Sequence, residues 1–248
     1  MIRLAWRQFR AQAAVAVAAL VVVGIMVALT GQPPVGSYTW LKDALTLIVY
    51  ATPVLVGLFW GAPLLGRELE TGTFRLVWTQ GITRRRWLLI KIALVGLTGI
   101  VIAGAFGLIA TWQHALVEAT ALDRIIPGVF DVSGVVAAGY AAFAFSLGLT
   151  SGAVLRRTLP AMAATLVGYA VVRIAVVELV RPHLATPLTY AGPSNDPGGW
   201  VVSRTGDVLR YHPDSRFWVF QGYETALFLG LAIILAAFCL WWVERGLS

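Results

Sequence analysis

The sequence predicts an all-α polytopic membrane protein with six transmembrane helices, and three observations carry that prediction. Of 248 residues, 58% are hydrophobic and only 12% are charged, whereas a soluble domain carries about a quarter charged residues. The mean hydropathy is +0.79, and the apolar residues gather into runs of about 20, the helix length that crosses a hydrocarbon core. The Lys and Arg residues fall mostly on alternate connections between those runs, as they do in multi-pass proteins.

The first ten residues, MIRLAWRQFR, put Ile2, Trp6 and Phe9 at helical spacing, and likewise Arg3, Arg7 and Arg10. That pattern predicts an amphipathic helix lying in the membrane interface, arginines toward anionic lipid. The first span covers 11–30. It is longer than a signal-peptide core and lacks a small-residue cleavage site, so it is expected to remain as an anchor. Pro33 and Pro34 end it, because consecutive prolines cannot continue a helix. The second span covers 44–65 and contains Pro53, which neighbouring helices in a membrane can accommodate. The third covers 87–112, the fourth 132–155, the fifth 159–180 and the sixth 217–243. Together they form a single transmembrane domain over 1–248. The longest connection, 181–216, is polar, with many Gly and Pro, and carries Trp200 and Tyr211, with Phe217 and Trp218 just beyond it. It reads as an outer lid or as a plain connection.

Orientation follows from the basic residues. Arg3, Arg7, Arg10, Arg67, Arg75, Arg84, Arg85, Arg86, Lys91, Arg156, Arg157 and Arg245 lie on one side of the six spans. Lys42, Arg124, Arg181, Arg204, Arg210 and Arg216 lie on the other. The richer side is expected in the cytoplasm, with both termini, in the cytoplasmic (inner) membrane. Asp43, Glu118, Asp123, Asp131, Asp196, Asp207 and Asp214 then fall outside. A net charge of +7 reflects these loops, and nucleic acid is not expected as a partner. Small residues recur in the spans, Ala144, Gly148 and Gly152 among them at every fourth position. Such spacing lets helices approach closely, within one chain or against a second copy.

Several chemistries are absent. Neither lysine, Lys42 or Lys91, follows glycine, so no P-loop for ATP is present. His114, His183 and His212 are far apart, which argues against a zinc helix and a haem. A lone cysteine, Cys239, excludes an internal disulfide. No cofactor is expected in this chain. Charges inside spans are costly and usually have a role. Arg173 lies in the fifth span, about 140° around a helix from Glu178, so those two are not expected to pair. Glu178 is better placed for Arg181 at i+3. Glu224, near the outer end of the sixth span, is the expected partner of Arg173, with snorkelling to the headgroups as the alternative.

Residues 67–87 read RELETGTFRLVWTQGITRRRW. This strip joins the second and third spans and concentrates five arginines and two glutamates in a chain otherwise poor in charge. Thr71-Gly72-Thr73 can break one helix and cap the next, and Thr83 can cap the third span. Glu68, Glu70 and Arg75 offer charge to a partner, and Phe74, Leu76 and Trp78 offer apolar anchors. A solvated positive loop accounts for the arginines and leaves those aromatics unexplained.

The strip resembles the cytoplasmic loop of type-2 ABC-transporter permeases. The matching positions are Glu68-Leu69-Glu70, Gly72-Thr73, Arg75-Leu76, Trp78-Thr79-Gln80, Thr83-Arg84 and Arg86-Trp87. A second match is RFWVFQGYE at 216–224. The resemblance implies the membrane subunit of an exporter for a hydrophobic or amphipathic compound, a drug, antibiotic or lipid-like molecule. It implies two permease copies in contact with membrane lipids, and a separate ATPase chain that holds ATP and Mg. The strip would form a coupling helix between helices 2 and 3 that docks on the ATPase through Glu68, Glu70, Thr71, Gly72, Arg75, Trp78, Gln80 and Arg84. An outer gate would draw on Arg173, Glu178, Arg181, Phe217, Gln221 and Glu224. Two rivals remain open at this stage: an ion-coupled secondary transporter, and a membrane anchor or sensor subunit that moves no cargo.

Overall fold

The computed structural model describes residues 39–72, 83–117, 124–191, 198–206 and 208–246, with a few helical positions between 14 and 25. The N-terminal amphipathic segment, most of the first span and the middle of the strip, with Arg75, Trp78 and Gln80, lie outside the described residues. Among those described, five helices are long and apolar enough to cross a membrane.

Helix α1 (Thr39–Val56) passes through a wide π turn at Gly57–Gly61 into α2 (Ala62–Thr71). Pro53 sits inside α1 without ending it. The helix outruns its expected end at 65 by six residues, because Glu68 and Glu70 find polar partners on other spans. It stops at Gly72, whose φ of +71° is the left-handed conformation that glycine adopts past a helix end. The third span is α3 (Arg84–Lys91), a π turn at Ile92–Gly96 and α4 (Leu97–Val117). It begins at Arg84, three residues before the expected start, where the Thr83 hydroxyl accepts the Arg86 N–H at 3.4 Å.

A short helix, α5 (Pro127–Phe130), leads into α6 (Val136–Leu155). The fourth span therefore starts at 136 and not at 132. Gly134 has φ +74°, which no α-helix accepts, so Asp131–Val135 folds as a turn. Helix α6 is the centre of the bundle: 72% of its apolar stretch is buried, against 17% for the fifth span. Its small residues make that possible. A Cβ on Gly148 would stand 2.4 Å from the Gly57 carbonyl oxygen, and one on Gly152 2.5 Å from that of Ala62. The Ala144, Gly148 and Gly152 run is thus used within this chain, to seat the π turn between α1 and α2. In lipid, close packing of this kind holds helices together, because burial from water contributes little.

The fifth span is α7 (Thr158–Ala175), continued by a π turn at Val176–Val180 and a 3-10 turn at Arg181–His183. The next segment adds a small sheet to an otherwise helical structure. Strands β1 (Leu188–Ala191), β2 (Trp200–Thr205) and β3 (Val208–His212) form an antiparallel sheet in the order β1-β3-β2. Thr189 pairs with Arg210 and Trp200 with His212, with an irregularity between Val201 and Ser203. Runs such as VVSRT and VLRYH have the β-branched and aromatic content of strands, and Gly206 turns the chain between them at φ +59°. A 3-10 turn at Asp214–Arg216 opens the last span, α8 (Phe217–Arg245), of 29 residues. At 1.5 Å per residue it is about 43 Å long, more than a hydrocarbon core of about 30 Å.

The buried apolar side chains form three clusters along the bundle, one of which joins Val49, Ile102, Phe106, Ala110 and Val132. A second, near the strip, joins Leu65, Trp87, Leu88, Phe145, Leu149, Cys239 and Val243. Another, near the sheet, joins Phe130, Tyr140, Phe143, Phe217, Phe220 and Phe228.

Candidate functional site

Polar side chains collect at both ends of the bundle. At the sheet end, Arg181 is fully buried. Its Nε donates to Glu224 Oε2 at 2.8 Å, and its Nη2 donates to Glu224 Oε1 at 2.8 Å and to Asp131 Oδ1. The fork of a guanidinium matches a carboxylate in this two-bond geometry. Arg173 reaches the same two acids, Asp131 Oδ2 at 3.0 Å and Glu224 Oε1 at 3.2 Å. Its guanidinium lies 3.7 Å from the centre of the Tyr140 ring, within cation–π range. The Tyr140 hydroxyl donates to Glu224 Oε1 at 2.6 Å. Two arginines and two carboxylates balance, which is what makes burial of four charges tolerable.

Position follows from sequence. Phe217, Phe220, Gln221, Glu224 and Phe228 are on the buried face of α8, at the i, i+3, i+4, i+7 spacing of one helical stripe. Gln221 satisfies the backbone of the turn before α6. It donates to Phe130 O at 3.1 Å and Ser133 O at 3.0 Å, and accepts from Val136 N at 2.9 Å. Phe217 meets the Phe130 ring edge-on at 5.6 Å. The motif at 216–224 therefore fastens the last span to the Asp131–Val135 turn.

Three of the six expected gate residues, Arg173, Arg181 and Glu224, meet in this network, and Arg173 contacts Glu224 as their placement suggested. Phe217 lies beside them in the same aromatic cluster. Gln221, one turn before Glu224 on α8, bonds the adjoining turn instead. Glu178 does not belong. It is exposed, and Arg181 turns to Asp131 and Glu224 instead of to it. The expected i, i+3 pair assumed an α-helix, whereas the chain widens to a π turn at Val176–Val180 and then tightens to a 3-10 turn, which destroys that geometry. Asp131, placed among the solvated outer acids, is buried. Asp131 and Tyr140 are site residues that sequence reasoning missed. The available signal was the count: two buried arginines need two acids, and only one was assigned.

At the strip end, the two glutamates are already engaged inside the chain. Glu68 pairs with Lys91, the last residue of α3. Lys91 is buried and lies 4.3 Å from the Trp87 ring centre. Glu70 Oε2 accepts from the Thr158 backbone N–H at 3.0 Å and from its hydroxyl at 2.8 Å. Arg156 donates to the Gly246 carbonyl at 2.8 Å, tying the end of α6 to the end of α8. Both glutamates thus hold partners inside the chain, while Glu70 remains exposed at the strip end. A lysine at the rim of a greasy span needs a counter-charge, and that was the missed pointer to Glu68. Thr71 donates back to Arg67 O at 2.9 Å, Gly72 ends α2, and Arg84 opens α3.

Five apolar helices laid side by side, with polar side chains locking both ends, define a multi-pass membrane protein. The family model described as "ABC-2 membrane transporter related" matches residues 35–181, well over half of the chain. The chain belongs to that family, the type-2 ABC-transporter permeases, which are transport membrane subunits. Comparison with curated proteins and with solved structures gives no match.

Proposed function

We propose that this chain is the membrane-spanning subunit of an ABC exporter that moves a hydrophobic or amphipathic compound, such as a drug, antibiotic or lipid, across the cytoplasmic membrane. A separate ATPase, holding ATP and Mg, docks on the strip at 67–86, and two permease copies form the pathway. The strip end and both termini lie in the cytoplasm, and the sheet lies outside. The observation that carries this reading is the anchoring of the strip. Its flank is tied to the third span through Glu68 and to the fifth through Glu70, so a push on the strip reaches the bundle. Arg75, Trp78, Gln80 and Arg84 supply the docking surface. The layer of Arg173, Arg181, Gln221 and Glu224 closes the pathway at the outer end as its gate, with Phe217 and Glu178 at its margin.

Co-purification tests the assignment. The tagged chain is expected to bring down an ABC ATPase, and Arg75→Ala is expected to weaken that complex and its drug-stimulated ATP hydrolysis. Unchanged complex formation together with unchanged stimulation would overturn the docking role.

A further inference from the structure

Glu68 and Glu70 are two residues apart on one helix, which places them about 200° apart around its axis. They therefore face opposite ways from the end of α2, and each meets a different span. Glu68 meets Lys91 at the end of α3, immediately before the π turn at Ile92–Gly96. Glu70 meets Thr158, the first residue of α7. The residue in the N-cap position there, Arg157, makes no side-chain cap bond. Glu70 takes that role from another span, accepting both the N–H and the hydroxyl of Thr158.

Both flanking segments end at a wide turn. Helix α2 begins after Gly57–Gly61, and α3 ends before Ile92–Gly96. The two turns converge on one residue: a Cβ on Gly61 would lie 2.5 Å from the Phe145 carbonyl oxygen, and one on Gly96 2.7 Å from its ring. Wide turns of this kind inside α-helices are frequent at functional sites. The Glu68–Lys91 pair binds the two strip-proximal segments to each other below these turns.

We infer that Lys91 and Thr158 are the residues through which movement of the strip is divided between the third and fifth spans. Lys91 makes α2 and α3 a single lever below the two π turns, and Thr158 makes the start of α7 follow that lever. This rests on the ATPase-driven reading above and assigns the internal residues that carry the drive. Both act by position and touch neither cargo nor nucleotide.

The test uses the full complex in proteoliposomes, with a cysteine at Trp218. That residue is exposed at the sheet end, whereas the native Cys239 is buried. Maleimide labelling is measured without nucleotide and after trapping with ATP and vanadate. The parent is expected to change its labelling rate on trapping. Lys91→Met and Glu70→Ala are expected to reduce that change by at least about fivefold, the lower end of ordinary coupling between sites. Lys91→Met keeps the ATPase bound. The swap Glu68→Lys with Lys91→Glu restores the response, and ATPase binding and hydrolysis in the same samples separate lost coupling from lost folding. If the parent responds and both single variants respond equally, the inference is overturned. The same holds if the swap fails to restore the response in a complex that is assembled and hydrolysing ATP. If no ATPase assembles, or trapping leaves the parent unchanged, the ATPase-driven reading fails and takes this inference with it.

Discussion

Arg181 is held by Asp131 and Glu224 in a layer with no exposed member. Removing one partner from a buried ion pair leaves an uncompensated charge, which costs about 3–5 kcal/mol. Arg181→Met is expected to lower the thermal midpoint of the purified protein in detergent by that equivalent. Adding Glu224→Gln should recover part of the loss, because one carboxylate then balances Arg173. Arg173 offers a finer contrast. Lysine keeps its charge, yet loses the two-acid fork and the stacking on Tyr140. On the proposed transport function, Arg173→Lys is therefore expected to retain part of the activity that Arg173→Ala loses, measured as movement of a compound across proteoliposome membranes. Gln221→Leu removes three buried hydrogen bonds and leaves Ser133 O and Val136 N without that partner, whereas Phe130 O keeps the Ser133 N–H. Each orphaned group costs about 1–3 kcal/mol. The substitution should expose the Asp131–Val135 turn to proteolysis more than a surface substitution does.

Among the elements, the sheet and the central helix make distinct demands. His212 of β3 is buried between Trp200 and Phe220. Its Nε2 donates to the Pro182 carbonyl at 3.2 Å, and its Nδ1 accepts from Arg216 at 3.5 Å. Burial lowers its pKa below the ordinary histidine value; the Pro182 carbonyl opposes that shift and Arg216 adds to it. A depressed folded-state pKa means that the unfolded chain takes up the proton first. The stabilisation is therefore complete above pH about 6.5 and is lost as pH falls below it through the folded-state value. Thermal midpoints taken from pH 8 to pH 5 should fall toward acid for the parent and lose that His212-dependent part in His212→Phe. In α6, Gly148→Leu drives a side chain into the Gly57 carbonyl. The expected result is a separated second span, read as labelling of a cysteine placed at Val56, which is buried in the parent.

Taken whole, the molecule is a bundle whose middle is apolar and closely packed and whose ends are fastened by polar contacts. Helix α6 touches the spans around it, so the ends can communicate through it without a continuous chain of charges. The exposed faces of α1, α4, α7 and α8 carry Leu, Val, Ile, Phe and Trp side chains, as suits lipid contact. The expected consequence is that detergent-free extraction with a surrounding ring of lipid keeps the chain more stable than a short-chain detergent, as thermal unfolding in the two environments would reveal.

Composition and periodicity determined that this chain lives in a membrane, roughly where five of its helices run, and which strip breaks the pattern. These are local properties: apolar run length, helix breakers and the position of arginines. Gly72 and Thr83 were legible as stop and start signals for the same reason, because each acts on its own few residues. The partners of the charged groups were legible only where two lone charges had a single plausible match, as with Arg173 and Glu224. The contacts of Asp131, Tyr140, Lys91 and Thr158 came from the tertiary structure alone. Their partners lie on other elements, and the π turns at Gly57–Gly61, Ile92–Gly96 and Val176–Val180 rotate each helix out of the register that sequence spacing assumes. The strands were likewise decided by pairing, β2 with β3 in a hairpin across Gly206 and β1 onto β3, and their β-branched runs are interrupted by Gly, Pro and charge. Where a glutamate sits is written in the chain; which helix it holds depends on how the helices pack.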